Sequence, residues 1–196
     1  MNNNFLITGF GRSGTKFLSK ILDCSMTWEV KHEPRGAQDE QAYRGGESIP
    51  KKMINAFKNN KNYGEVNSFM RFWIKDIEVA KKGIIIRNPR DITLSIANRK
   101  SIDRTLILME ELNYFYIFFH KLLNDDKRVL KISFDKMTTD FEYLKSLAKR
   151  LGINDINWDL TSLNKVNQNK ENKYKRFDEL PSKIIDKYAS MKWIFE

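Results

Sequence analysis

Cysteine is nearly absent from this chain. Cys24 stands alone, so no intrachain disulfide can form, and a reducing compartment is compatible with the sequence. Histidine is scarce too. His32 and His120 lie far from each other, and with Cys24 they show none of the short spacings of a metal site. No long apolar run exists either. The most apolar stretch, "LNYFYIFFHKLL", is interrupted by His120 and Lys121 and falls short of the ~20 residues a bilayer span requires. Its aromatics, Tyr114, Phe115, Tyr116, Phe118 and Phe119, read as helix packing. The start, "MNNNFLITGF", lacks a basic segment followed by an apolar one, so no signal peptide is expected. These absences together lead us to expect a soluble, cytoplasmic protein with no membrane span.

What is present is a globular composition, 41% hydrophobic and 12% aromatic, which excludes a disordered chain. No internal repeat is found. A length of 196 residues suits a single domain spanning 1–196. We expect a core over 4–153, a polar loop over 154–181 and a C-terminal helix over 182–196. The 35 Lys and Arg outnumber 25 Asp and Glu, for a formal charge of +10. That surplus favours anionic partners: nucleic acid, an anionic surface or a phosphate-rich small ligand.

Strand-like runs fall at Asn4–Thr8, Thr27–Lys31, Tyr63–Val66, Gly83–Arg87 and Val129–Ser133. Helical periodicity covers Gly14–Cys24, Lys51–Asn60, Phe69–Lys81, Pro89–Lys100, Arg104–Leu123, Thr139–Leu151 and Ser182–Met191. Strands alternating with helices imply parallel pairing and right-handed crossovers. "FLIT" and "GIIIR" are continuous apolar runs, as in a sheet covered on both faces. The expected fold class is therefore α/β, a three-layer sandwich around a central, mostly parallel sheet. Two polar segments, 33–50 and 154–181, resist the pattern and read as loops bordering a site.

The segment "FLITGFGRSGTKFLSKIL", residues 5–22, passes from an apolar strand through three glycines into a helix. Such a turn places backbone N–H groups and the positive end of a helix against an anion. It is almost a Walker A loop, but Thr15-Lys16 stands where that motif has Lys and then Ser or Thr. The amides of Ser13 to Lys16 are expected to face the ligand. Ser13 and Thr15 add hydroxyls, and Arg12 adds a fork of donors that stays charged. A kinase would also want a Mg²⁺-binding carboxylate at a neighbouring strand end. The strand "GIIIR" ends in Arg87 instead, and Asp135 lies beyond its own strand's apolar run.

A second basic motif, "IIIRNPRDITLSIANR", occupies residues 84–99. Asn88 suits a helix cap, Pro89 the first helical position and Asp91 the first turn. Asn88, Ile92, Ser95 and Arg99 then share one helix face. Arg87 and Ser95 are thereby placed to meet one anion from two sides.

Together the two motifs resemble the sulfotransferase family that uses 3′-phosphoadenosine 5′-phosphosulfate (PAPS). "GRSGTKF" resembles the loop that holds the 5′-phosphosulfate, which implies binding roles for Arg12, Ser13, Gly14, Thr15, Lys16 and Phe17. "IRNPRDITLS" resembles the stretch that holds the 3′-phosphate through an Arg and a Ser eight residues later, here Arg87 and Ser95. "KISFDKMTTDFEYLKSLAKRLGI", residues 131–153, resembles the family's late strand and helix. The resemblance spans most of residues 4–153. It implies a P-loop fold of the nucleoside triphosphate hydrolase type. It also implies release of adenosine 3′,5′-bisphosphate and no required metal. Arg12, where cytosolic members have Lys, resembles the tyrosylprotein and bacterial branches.

Sulfuryl transfer needs a base for the acceptor hydroxyl. "EVKHEPR", residues 29–35, offers two. Glu33 and the Arg35 two residues after it resemble the catalytic arrangement of tyrosylprotein sulfotransferases. His32 resembles the base of cytosolic members and has an ordinary pKa of ~6.5. Arg12 would act electrostatically on the leaving phosphate. Asn67 and Ser68 border the same strand edge, and the run Lys173 to Arg176 reads as a basic loop. The acceptor would be a hydroxyl of a saccharide, a lipid, a small metabolite or a peptidyl tyrosine. Two other classes compete: a P-loop nucleotide kinase or NTPase, and a non-catalytic anion or nucleic-acid binder. No recognisable nucleic-acid module appears, so nucleic acid is not the expected partner.

Overall fold

Five strands pair side by side in the order β2-β3-β1-β4-β5. They are β1 (Phe5–Gly9), β2 (Glu29–His32), β3 (Tyr63–Val66), β4 (Lys81–Ile86) and β5 (Val129–Ser133). All four pairings are parallel, with Ile7 opposite Val66 on one side and Gly83 on the other. This computed structural model describes residues 3–36, 38, 41, 51–160 and 172–194. Seven helices flank the sheet among them: α1 (Thr15–Leu22), α2 (Lys51–Asn59), α3 (Pro89–Ala97), α4 (Ile102–Asp125), α5 (Phe134–Thr139), α6 (Phe141–Leu151) and α7 (Ser182–Ala189). Much of the expected loops at 33–50 and 154–181 lies outside the described residues. The described part of the latter begins by closing on the turn after α1. Ser25 forms a bridge with Ile156 and donates to Asp155 Oδ1 at 2.6 Å.

The three layers follow from alternation along the two central strands. Leu6, Ile84 and Ile86 face one side, against Leu112, Phe115, Tyr116 and Phe119 of α4 and Ile92 and Ile96 of α3. Phe5, Ile7 and Ile85 face the other, against Leu18 and Leu22 of α1 and Leu144, Leu147 and Leu151 of α6. Each such side chain contributes roughly 1.5–3 kcal/mol by leaving water, so both faces of β1 and β4 hold the domain together. Because every strand runs the same way, all carboxyl ends meet at one edge. β1 also lies where the chain's order reverses, with β3 to one side and β4 to the other. That edge is where open α/β sheets build ligand sites.

Three expected helices differ. The C-terminal helix expected over 182–196 runs only Ser182–Ala189, with Ser190 as its C-cap. Phe69–Lys81 is not one α-helix. Asn67 caps a 3₁₀ turn over Ser68–Phe72, and Lys81 already belongs to β4. The bonds Met70 N–H to Asn67 C=O, Trp73 to Met70 and Asp76 to Trp73 step by three residues. Burial of Met70, Trp73, Ile74 and Ile77 still gives a helix-like period, which is why the sequence reads as helical there. Thr139–Leu151 divides at Asp140, which closes α5 and caps α6 by accepting from Tyr143 N–H.

A charge pair inside the fold fixes the end of β2. Glu65 on β3 is fully buried. Arg35 donates to both its oxygens, Nη1 to Oε1 at 2.8 Å and Nη2 to Oε2 at 2.5 Å. The Tyr63 hydroxyl donates to Oε1 at 3.0 Å. Burial, with the Glu65 charge beside it, pushes the Tyr63 hydroxyl well above its ordinary pKa. Arg35→Ala strands a buried carboxylate and is expected to cost about 3–5 kcal/mol of stability in urea denaturation. A loss below about 1 kcal/mol would show that Glu65 needs no cation.

Candidate active site

The glycine loop leaves β1 at Gly9 and enters α1 at Thr15. Gly14 takes φ +94, and a Cβ there would lie 2.6 Å from atoms of Phe134 and Met137. Glycine is thus required on both conformational and steric grounds. Gly14 occupies the N-cap position of α1 and gives it no side-chain cap. The first helical bond is Leu18 N–H to Gly14 C=O, which leaves the amides of the first turn outside the ladder. An uncapped helix start at a strand end is a site for an anion.

Ser13 behaves otherwise. Its N–H donates to Phe10 C=O at 3.0 Å, and its side chain is fully buried. A Cβ on Gly9 would meet Ser13 Oγ at 2.4 Å, so that hydroxyl lies over the sheet and not among the groups lining the cavity. The Ser13 amide therefore differs from the expectation, because Phe10 C=O already takes that N–H. The amide belongs to the turn, the Ser13 hydroxyl is buried with no hydrogen-bond partner among the described residues, and Gly14, Thr15, Lys16 and Phe17 line the cavity.

Arg12 sits at φ +75, a left-handed conformation uncommon outside glycine and asparagine. It donates through Nε to Ser95 Oγ on α3 at 3.2 Å. Arg87, just beyond β4, donates through Nη1 to the Arg12 carbonyl at 2.8 Å. The two basic motifs, 75 positions apart, therefore form one unit. Tyr116 on α4 holds Arg87 in turn. Its hydroxyl accepts from the Arg87 amide at 3.3 Å and donates to the Arg87 carbonyl at 2.5 Å. The Arg87 guanidinium stacks on Phe134, 4.2 Å from the ring centre, and among the described residues its buried Nε has no partner. Burial lowers the pKa of both arginines. For Arg12, the charges of Arg99 and Arg87 add to that effect and Glu33 opposes it. Both stay charged, so their mutual repulsion is a standing field for an anion.

Across the cavity stand the ends of β2 and β3. Glu33 takes φ +45, and its N–H donates to Val66 C=O at 3.4 Å. Its Oε1 accepts from Ser68 Oγ at 2.5 Å and from Ser68 N–H at 3.3 Å. Among the described residues, Oε2 has no partner. His32 Nε2 lies 3.3 Å from Thr15 Oγ1 and 3.7 Å from Glu33 Oε1. Burial lowers the His32 pKa, Glu33 opposes that shift and Lys16 reinforces it.

These groups enclose a cavity of about 650 Å³ lined by Gly11, Arg12, Gly14, Thr15, Lys16, Phe17, His32, Glu33, Ser68, Arg87, Arg99, Phe134 and Thr138. Four of the lining residues are cations and one, Glu33, is a carboxylate. Sequence reasoning did not select Arg99, Phe134 or Thr138. For Arg99 a signal existed, since it shares a helix face with Ser95. Ser95 itself is held at the margin by Arg12 rather than lining the cavity. Lys173 to Arg176 do not line it. Tyr174 is tied to Asn98 at the end of α3 by two hydrogen bonds of 2.7 and 2.9 Å. Among the described residues, no cluster of three His, Cys, Asp or Glu is placed to hold a metal ion, and no helix is long and apolar enough to cross a membrane.

No family model and no curated protein matches this chain. Solved structures do match it. It aligns over its whole length with the sulfotransferase domain of the Synechococcus PCC 7002 olefin synthase, covering 91% of that chain at a TM-score of 0.61 and 12% identity. It aligns over 96% of its length with a sulfotransferase from Alicyclobacillus acidocaldarius, covering 93% of that chain at a TM-score of 0.54 and 14% identity. The α/β fold is thus that of bacterial sulfotransferase domains.

Proposed function

We propose that this protein is a sulfotransferase that moves a sulfuryl group from PAPS to a hydroxyl acceptor. One observation carries the reading: four cations and an uncapped helix start face a lone carboxylate across a single cavity. An anionic donor fits the residues present. The amides of the first turn of α1 lie outside the helical ladder, and Arg87 Nε is buried without a partner among the described residues. The sulfotransferase likeness of the fold supports the choice of donor.

The donor, when bound, supplies a sulfuryl group on a phosphosulfate anhydride. The amides of Gly14 to Phe17, with Thr15 and Lys16, hold its 5′ end. Arg87 holds its 3′-phosphate from the cavity wall, and Ser95 contributes from the margin, where its hydroxyl accepts from Arg12 and keeps its own proton to donate. Glu33 accepts the acceptor's hydroxyl proton at Oε2, the oxygen opposite the one Ser68 occupies. Arg12 offsets the charge that grows on the departing phosphate, through charge-assisted hydrogen bonds. Adenosine 3′,5′-bisphosphate leaves, and no metal ion is needed for charge neutralisation. Saccharide, lipid, metabolite and peptidyl-tyrosine hydroxyls are the acceptor classes to screen.

The test is release of adenosine 3′,5′-bisphosphate from PAPS with each acceptor class, in buffer containing a chelator. Acceptor-dependent release is the expected result. Phosphoryl transfer from ATP that requires Mg²⁺, with none from PAPS, would replace this reading with a kinase.

A further inference from the structure

His32 is one of two histidines in the chain and stands between the groups proposed to hold the donor and the group proposed to take the proton. It closes β2, whose register sets it opposite Val66 at the end of β3, while Thr15 opens α1 after the glycine loop that follows β1. Three strand ends thus deliver Thr15, His32, Glu33 and Ser68 to one row. Along that row Thr15 Oγ1 lies 3.3 Å from His32 Nε2, which lies 3.7 Å from Glu33 Oε1, which accepts from Ser68 Oγ at 2.5 Å.

We propose that His32 is a positioning residue that couples the donor loop to Glu33, with its Nε2–H as the connecting donor. The inference rests on the sulfotransferase reading and deepens it. Thr15 has a single hydroxyl proton. When that proton goes to a phosphate oxygen, Thr15 can only accept from the imidazole, so Nε2 must carry hydrogen. The same Nε2, with Glu33 Oε1 at 3.7 Å, turns its hydrogen toward the carboxylate and orients it. Donor binding thereby readies the base before the acceptor arrives. Burial lowers the His32 pKa, which favours the neutral ring this role requires; Glu33 acts against that shift and Lys16 with it. Ser68 and His32 both address Oε1, so Oε2 is the oxygen left to the acceptor.

This role differs from that of a base in what can replace it. A glutamine amide can present a donor near Nε2 but cannot take up a proton at neutral pH. His32→Ala is expected to lower kcat by about 10–100-fold, the range typical of partners that orient a working group. His32→Gln is expected to recover most of that loss. Both variants should bind adenosine 3′,5′-bisphosphate within a few-fold of the parent protein. The direct readout is ¹⁵N imidazole NMR of the full chain during titration with adenosine 3′,5′-bisphosphate. Exposed His120 on α4 serves as the internal reference. The bound protein is expected to show His32 protonated at Nε2, and Thr15→Val to lose that preference. Nucleotide binding with His32 protonated only at Nδ1 would overturn the coupling and leave the sulfotransferase reading intact. A His32→Gln protein as inactive as His32→Ala would do the same and make the imidazole itself the base. Absence of nucleotide binding would overturn both.

Discussion

Glu33→Gln is expected to lower kcat by about 10²–10⁴-fold, the usual contribution of a positioned general base, with little change in nucleotide affinity. The substitution keeps the shape of the side chain and an oxygen for Ser68, which donates to Glu33 Oε1 from both its hydroxyl and its amide. What it removes is the capacity to accept a proton at the other oxygen. Glu33 suits that task for a reason of geometry. Its backbone is held in the left-handed region at φ +45, and the Arg35–Glu65 pair lies two residues away. Strained backbone of this kind persists only where the surroundings over-determine it, and it gathers at functional sites. The check is steady-state kinetics beside calorimetry on the same preparation. A kcat within a few-fold of the parent would transfer the role of base to another group, with His32 the nearest.

Arg12→Gly is expected to separate stability from activity. Removing one preorganised donor from a developing oxyanion costs about 2.7–4 kcal/mol of transition-state stabilisation, or roughly 10²–10³-fold in kcat. The same change relieves the φ +75 backbone, which costs a non-glycine residue about 1–3 kcal/mol. The bond that Arg87 donates goes to the Arg12 carbonyl, which glycine keeps. The melting temperature should therefore hold or rise while turnover collapses. A protein that unfolds more readily and turns over normally would make Arg12 a structural residue, bound to Ser95 for the sake of the fold.

Much of this arrangement is legible in the sequence because local rules and the fold agree. "FLIT" and "GIIIR" are buried on both faces, so their apolar runs locate β1 and β4 to within about two residues. Asn88 and Pro89 announce the start of α3, and the Asn88 side chain does accept from Arg90 N–H at 2.8 Å. The glycine loop and Arg87–Ser95 motifs carry their own spacing, and the sheet brings them together. The rest depends on contacts with no local signature. Glu65 and Arg35 are 30 positions apart, and nothing in "YGEV" marks its carboxylate as buried. Arg71 resembles a surface residue in "NSFMRFW", yet it lies beneath Phe10, Phe72 and Phe115 and donates to Ser68 C=O at 2.8 Å. The burial of Ser13 follows from its closeness to Gly9, which only the three-dimensional turn reveals. Phe69–Lys81 misleads because a 3₁₀ turn and an α-helix bury nearly the same residues.

The central claim is that the cavity takes a nucleotide by its 3′-phosphate and its 5′ end with protein cations alone. The most direct measurement is calorimetric titration with adenosine 3′,5′-bisphosphate, ADP and ATP, each with and without Mg²⁺. The account predicts binding of adenosine 3′,5′-bisphosphate that is indifferent to Mg²⁺, exceeds that of ADP and weakens roughly tenfold or more in Arg87→Ala. A Mg²⁺-dependent preference for ATP, or no heat from any of the three, would contradict it.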